Sequence, residues 1–261
     1  DRFSLAGDWR RNWVFSNGVI GSLAFLVSAD HFNIKQDDNF GDNSRITGVG
    51  SVELRWPFAA TDRWKGSQVI EPVIQYISAP IKDYGISNED STLVEFDEGS
   101  LFSIQRFAGY DDRERGDRLN LGLGWTRMAP KGWAIHADIG KVLRPKNYAQ
   151  FSDVSGLNGV SSDLLASTRL SLANGLSVQN RILLNPDFVS QKNELRFALE
   201  RDRFGLSASY ISLLADDDEA RDDDVSEVYV SSRMNLSNQW TVNLNSRFNF
   251  EADTPVSTNL N

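Results

Sequence analysis

The 261-residue chain contains no cysteine and only two histidines, His31 and His136. Disulfides and thiolate metal sites are therefore excluded within it, and little is left for a histidine-based zinc site or a nucleophile–base pair. Basic residues are the minority: 27 lysines and arginines stand against 36 aspartates and glutamates, for a net charge of −9. A chain so acidic offers no face for nucleic-acid phosphates. No apolar run approaches the eighteen or so residues of a membrane-spanning helix, and no basic, apolar leader pattern stands at the start. Helical spacing of apolar residues at i, i+3 and i+4 is not evident anywhere. These absences fit an acidic soluble protein. They fit a transmembrane barrel equally well, because half of every strand there faces a wet lumen and hides the membrane signal.

Periodicity separates the two. From Trp240, one parity reads Trp240, Val242, Leu244, Ser246, Phe248, Phe250, and the other Thr241, Asn243, Asn245, Arg247, Asn249. That is a strand with one greasy and one polar face. Ten such residues, tilted by about 40°, rise about 25 Å, the height of an outer-membrane apolar band. The pattern recurs at Leu119–Thr126, Leu176–Leu184, Glu194–Glu200, Phe204–Tyr210 and Val19–Ala29. Roughly twelve strands are expected, in an all-β, antiparallel, up-and-down transmembrane β-barrel forming one domain over residues 1–261.

The connections alternate as well. Short turns fall at 16–18, 61–63, 130–132, 173–175, 202–203 and 237–239. Longer polar loops fall at 35–45, 81–116, 146–162, 185–192 and 215–224. Tight periplasmic turns opposite long outer loops are the rule of outer-membrane barrels. This places Asn88, Asp153 and Asp218 on one side and Asn17, Lys131 and Asn238 on the other. Val19, Trp64, Trp133, Leu176, Phe204 and Trp240 each follow a short turn, as an interfacial aromatic girdle requires.

One stretch is unlike generic barrel sequence. Glu71-Pro72-Val73-Ile74-Gln75-Tyr76 ends a strand. A loop follows with Asn88-Glu89-Asp90-Ser91, Leu101-Phe102 and Arg106-Phe107-Ala108-Gly109-Tyr110-Asp111-Asp112-Arg113. It closes on Gly116-Asp117-Arg118 and the glycine-alternating strand Leu119-Asn120-Leu121-Gly122-Leu123. This order, over about fifty residues, resembles the C-terminal barrel domain of the lipopolysaccharide-assembly protein family (LptD, organic solvent tolerance protein). The resemblance implies a Gram-negative outer-membrane barrel of about twenty-six strands. It also implies a plug lipoprotein, LptE, inside the barrel, outer-membrane lipid around it, and lipopolysaccharide as cargo. A periplasmic jelly-roll domain would receive that cargo from the transport bridge. The jelly roll, the paired cysteines and about half of the strands are not in this sequence. It is therefore expected to be the middle and later part of the barrel, with the lateral gate elsewhere.

Two classes of function stand side by side: a lipopolysaccharide-inserting translocon component with no chemistry of its own, or a diffusion porin or uptake channel. A lipid-hydrolysing barrel is a third, weaker option. No catalytic constellation, cofactor site or metal site is evident. His136 is expected to face the lumen, hydrogen-bonded, with Asp138 on the same face. Glu53, Arg55, Glu71, Arg169, Arg181, Glu194, Arg196, Glu200, Arg233 and Arg247 share the lumenal parity. They either form cross-strand ion pairs or line a wet surface for a plug or lipid phosphates. Asn120 and Asn245, on the polar parity of their strands, are expected to face water or the plug. The acidic run from Asp216 to Asp224 is expected to be solvated. A loop as long as 81–116 is uncommon unless functional or disordered. Its apolar groups, Leu93, Val94, Phe96, Leu101, Phe102, Ile104, Phe107 and Tyr110, favour folding back onto the barrel mouth over a plain extension of the flanking strands. The candidate loop, plug or lipid contacts are Arg106, Phe107, Tyr110, Asp111, Arg113 and Arg118, the arginines pairing with Asp97, Asp111 or Asp112 or with lipid phosphates.

Overall fold

A computed structural model describes residues 2–33, 42–82, 90, 93–109, 111–237, 239–251 and 254–260. The strands are β1 (Arg2–Val14), β2 (Ile20–Phe32), β3 (Asn43–Arg55), β4 (Phe58–Thr61), β5 (Ser67–Ser78), β6 (Arg118–Met128) and β7 (Ala134–Leu143). They continue as β8 (Leu164–Ser171), β9 (Leu176–Leu184), β10 (Ser190–Glu200), β11 (Phe204–Leu213), β12 (Val225–Asn235), β13 (Thr241–Asn249) and β14 (Thr254–Leu260). All fourteen belong to one sheet, and each wall strand pairs antiparallel with its sequence neighbours. The sheet is not closed: β1 and β14 are its edges.

The count exceeds the expected twelve partly because one strand is broken. Pro57 has no N–H to give to a ladder. β3 therefore ends at Arg55 opposite Val73, and β4 resumes the pairing on the same neighbour, with Phe58 opposite Ile70.

Register places the alternating residues on two consistent faces. Directly paired residues share a face, so the row Ile74, Leu121 and Lys141 continues from Leu54 on the outer side. On the inner side Glu53, Gln75, Asn120 and Val142 are in register. The outer face leaves Phe25, Val52, Leu54, Ile74, Leu123, Leu195 and Leu244 exposed. A water-soluble sheet would bury such a face; a membrane wall presents it to lipid.

The short connections are hydrogen-bonded turns at one end of the sheet. Phe15 N–H donates to Val19, Asp62 to Gly66, Ala129 to Trp133, Leu172 to Leu176, Arg201 to Phe204 and Leu236 to Trp240. Gly175 shows why sequence matters there. Its φ is +83°, and a Cβ would stand 2.2 Å from the Glu200 carbonyl oxygen. Trp13, Phe15, Trp56, Phe58, Trp64 and Trp240 are exposed at this same end, as a girdle requires. Asn17 and Lys131 lie at the turn end and Asp153 and Asp218 at the loop end; Asn88 and Asn238 fall outside the described residues. Segment 185–192 is not a long loop. Asn185 N–H donates to Val189, and the β9–β10 hairpin closes with a bulge near Ser190.

Candidate functional site: the loop on the inner face

The connection between β5 and β6 does not extend its flanking strands. Its described part folds back against the inner face, and the wall is shaped to receive it. Gly122 and Gly140 are direct partners across β6 and β7. A Cβ on Gly140 would stand 2.2 Å from Leu101 Cδ2, and one on Gly122 2.6 Å from Phe102 Cζ. The two glycines thus form a recess that larger residues would fill. Around it Phe96 and Leu101 join Val142, Leu157, Leu165 and Leu183 in a dry cluster. Ile104 packs on a second cluster of Val49, Ile77 and Ala79. Burying Phe96, Leu101 and Phe107 contributes about 1.5–3 kcal/mol each before ordering costs. Leu93 departs from expectation, being 52% exposed where Leu101 is 2%. Its place in the loop leaves it off both clusters.

Beside the apolar recess sits a buried charge cluster. Arg106 Nη1 donates to both Glu114 oxygens at 2.7 Å, and Arg144 Nη2 reaches Oε1 at 2.9 Å. Arg118 Nε lies 3.3 Å from the same oxygen, without hydrogen-bond alignment. The Arg106, Glu114 and Arg118 side chains are fully excluded from solvent. One carboxylate cannot balance three guanidinium groups; backbone carbonyls take up some of the remaining donors, while Arg118 Nε and Nη1 and Arg144 Nε make no hydrogen bond among the described residues. Ser100 and Leu101 accept from Arg106, Ile104 from Arg118, and Leu157 from Arg144. Burial pushes the Glu114 carboxyl upward, but the fields of Arg106, Arg118 and Arg144 outweigh it and hold the pKa below its ordinary value. For Arg144 the balance tips the other way: burial lowers its pKa despite Glu114.

A second anchor is Arg181 on β9. It reaches Glu98 at 2.8 Å, Asp97 at 3.3 Å and Glu95 at 3.5 Å in the loop, and Glu194 at 3.0 Å on β10. Gln75 ties wall to loop by donating to the Phe102 carbonyl at 3.0 Å while accepting from Asn120 at 2.7 Å. The neighbouring loops lock on in turn. Phe107 stacks on Phe151 at 5.4 Å, and Gln150 accepts from the Arg115 N–H. Ser152 donates to Glu219, and Asp216 accepts from the Val154 N–H.

Several expectations need correction. Arg106 and Arg118 pair with Glu114, not with Asp97, Asp111 or Asp112, because the chain turns back between residues 106 and 118 and brings Glu114 between them. Asp97 is taken by Arg181, and Asp111 bonds Arg2 at 2.5 Å. Arg113 lies against the inner wall, with Nη2 3.5 Å from Ser28 Oγ. Phe107 is buried, and Tyr110 falls outside the described residues. The acidic run is not wholly solvated: Asp216 is buried and Glu219 is bonded, whereas Asp217, Asp218, Asp222, Asp223 and Asp224 are exposed. Asn120, read as facing water or a plug, is fully buried.

Glu114 itself escaped sequence reasoning. The signal was faint: Arg106, Arg118 and Arg144 lie near loop ends, and Glu114 is one of four acids between Arg106 and Arg118, beside Asp111, Asp112 and Asp117. Some lumenal charges pair across strands, Arg55 with Glu71, Arg181 with Glu194, Arg233 with Glu200 and Arg247 with Glu227, while Arg55–Glu53 and Arg196–Glu194 pair along a single strand. His136 lies on the inner face, with Nε2 2.6 Å from Asp138 and Nδ1 2.7 Å from Thr126 Oγ1. Both form part of the lining of a cavity of about 450 Å³, with Arg55, Glu71, Glu98 and Phe102. The backbone around this trio is committed to the ladder, Thr126 pairing with His136 and Gly124 with Asp138. That arrangement supplies no paired N–H donors for an oxyanion.

The comparisons with known proteins agree with this architecture. The family model for LPS transport system D matches residues 1–240. An LPS-assembly protein LptD of Cupriavidus pinatubonensis is 33% identical over 132 residues, covering 46% of this chain and 15% of that protein. One of Albidiferax ferrireducens is 28% identical over 139 residues, covering 51% of this chain and 17% of the relative. The matched stretch thus spans about a sixth of either relative's length. With the match running through nearly all of the strand wall and its inner loop, the chain belongs to the LptD family of LPS transport proteins.

Proposed function

We propose that this chain is a wall segment of an outer-membrane lipopolysaccharide translocon, acting without chemistry of its own in placing that lipid in the outer leaflet. The observation that carries the reading is the family match over a wall whose outer face is apolar and whose inner face is covered by a folded loop. An open diffusion channel needs a clear lumen, and here β5 to β9 are covered from within. The loop seals that arc, and the arc from β10 to β13 is left for partners. Its inner side carries solvent-facing pairs such as Arg233–Glu200 and Arg247–Glu227, a surface suited to the plug lipoprotein LptE or to passing lipid phosphates. The periplasmic transport bridge would deliver the cargo through a domain outside this sequence, and the site of action would be the Gram-negative outer membrane. Replacing residues 93–109 by a short glycine–serine linker in the full-length protein tests the reading. We expect less surface lipopolysaccharide and higher permeability to large antibiotics. Normal export with a sealed membrane would contradict it.

A further inference from the structure

At the turn end, on the outer face, two hairpins build a site that the translocation reading does not use. Gln68 and Arg127 are direct partners, as are Ile70 and Trp125, so Arg127 and Trp125 both lie on the lipid-facing parity. Here that face carries a guanidinium where hydrocarbon-facing positions carry leucine. The Arg127 guanidinium lies 4.5 Å from the Trp133 ring and 5.7 Å from the Trp64 ring. Asp62 fixes it, accepting from Nε at 2.6 Å while its other oxygen accepts from the Trp64 and Gly66 N–H groups of its own turn. Arg127 holds the Asp62 carboxyl below its usual range. Among the described residues this is the hydrogen bond Arg127 makes, so its terminal nitrogens keep donors to offer. The space enclosed is about 730 Å³, lined by Trp64, Gln68, Trp125, Arg127, Lys131 and Trp133 among others. Arg63 stacks on Trp64 from outside at 4.1 Å.

A site of this size matches a small-molecule pocket of about 300–1,000 Å³. Its charge is the informative part. Arg127, Lys131 and Arg63 outnumber Asp62, whose oxygens are already engaged. Indole rings sit at the headgroup level of a bilayer, with an apolar body toward the chains and an N–H toward water. Stacked guanidinium groups bind phosphate with fixed geometry. A choline-type cation is disfavoured because cations already occupy the aromatic faces.

We propose that the hairpins β4–β5 and β6–β7 form a binding site for one anionic phospholipid of the leaflet at the turn end, its phosphate on Arg127 and Lys131 and its glycerol and upper acyl chains against Trp64, Trp125 and Trp133. The proposal rests on the membrane-wall reading. The site anchors the wall's height at that interface, next to the arc that the loop stiffens from within.

The test uses the full-length protein in phosphatidylcholine vesicles containing a small fraction of phosphatidylglycerol with a photoactivatable acyl chain. Parallel vesicles carry photoactivatable phosphatidylcholine instead. The expected result is labelling of peptides 62–68 and 125–133 about fivefold stronger from the anionic lipid, the effect of roughly one engaged basic group at a charged interface. The turn at Leu236 to Trp240 should show no preference. Lys131→Gln, which changes only an exposed side chain, reduces the preference, and Arg127→Gln with Lys131→Gln removes it. Equal labelling by the two lipids, or a preference surviving the double variant or lost to excess inorganic phosphate, overturns the site while leaving the wall intact. Absence of labelling at Leu123 and Leu244 by either lipid overturns the wall reading and the site with it.

Discussion

The inner face divides into two arcs that share one alternation pattern and differ in everything else. From β5 to β9 its loop-end half is dry: Gln75, Asn120, Val142, Leu165 and Leu183 are buried under the loop. From β10 to β13 it is wet. The Arg233 and Arg247 side chains are about half exposed, Arg247 beside Glu227 on the adjacent strand and Arg233 beside Glu200 two strands away, across Gly205. The difference is written in residue size and charge. The dry arc sets facing glycines and aliphatic residues (Gly122, Gly140, Val142, Leu165, Leu183) beside polar groups that bond the loop, such as Gln75 and Arg181, whereas the wet arc carries arginine, glutamate, serine and tyrosine with no loop over them among the described residues. Alternation says which residues point inward, and the character of those residues says whether anything covers them.

Breaking the dry arc should have the largest effect. Glu114→Gln leaves three guanidinium groups in a buried site without a counter-charge, and removing one partner of a buried pair costs about 3–5 kcal/mol. Urea-induced release of the loop, followed by protease cleavage within 93–109, reports it. Asn120→Arg should be comparably harmful, since it adds a fourth guanidinium beside Arg106. The same cluster sets a pH dependence. Glu114 has a folded pKa below its ordinary 4.5. Its contribution is therefore fully present above that value and is lost as pH falls through the folded value. Protease resistance of the loop should hold at neutral pH and fail in acid below about pH 4.5, with no matching loss on the alkaline side up to about pH 9.

The outer face gives the next effect. Leu244→Arg should cost about 2–4 kcal/mol if near the midplane, against less than about 1 kcal/mol for Asn245→Arg on the wet inner side. Folding into lipid vesicles compares the pair, and equal penalties would reverse the faces. Overfilling the recess comes third. Gly140→Val pushes Leu101 off the wall at about 1–3 kcal/mol, whereas Gly205→Ala on the wet arc meets the exposed end of the Glu200 side chain at 3.1 Å. Smallest of all is Glu227→Gln, which loses a half-exposed pair with Arg247 worth about 0–1 kcal/mol.

Strand identity, facing and turn positions were legible because a period of two survives any tertiary context, and because asparagine–glycine and lysine–glycine turns are local. The folding-back of the loop was legible from its apolar content alone. Its ion pairing was not. Arg106, Glu114, Arg118 and Arg144 come from two loops and a strand end, and their meeting depends on the path of the loop, which no local pattern encodes. The Asn120 assignment failed for the same reason, since parity gives the face and not its cover. The break at Trp56-Pro57 was readable from proline chemistry. The short 185–189 hairpin was obscured by polar residues that serve the turn, with Asn185 Oδ1 accepting from the Asp187 and Val189 N–H groups.

The division of the lumen depends on the loop being seated on the inner wall. These 261 residues contain no cysteine, so single cysteines at Phe96, Leu101 and Leu93 can be probed with a maleimide on the folded full-length protein in membranes, with the unsubstituted full-length protein as the background. Leu93→Cys should react rapidly, while Phe96→Cys and Leu101→Cys should stay unreactive until denaturant or acid frees the loop. Equal, rapid labelling at all three positions in the native protein would contradict the seated loop and, with it, the division of the lumen into a covered and an open arc.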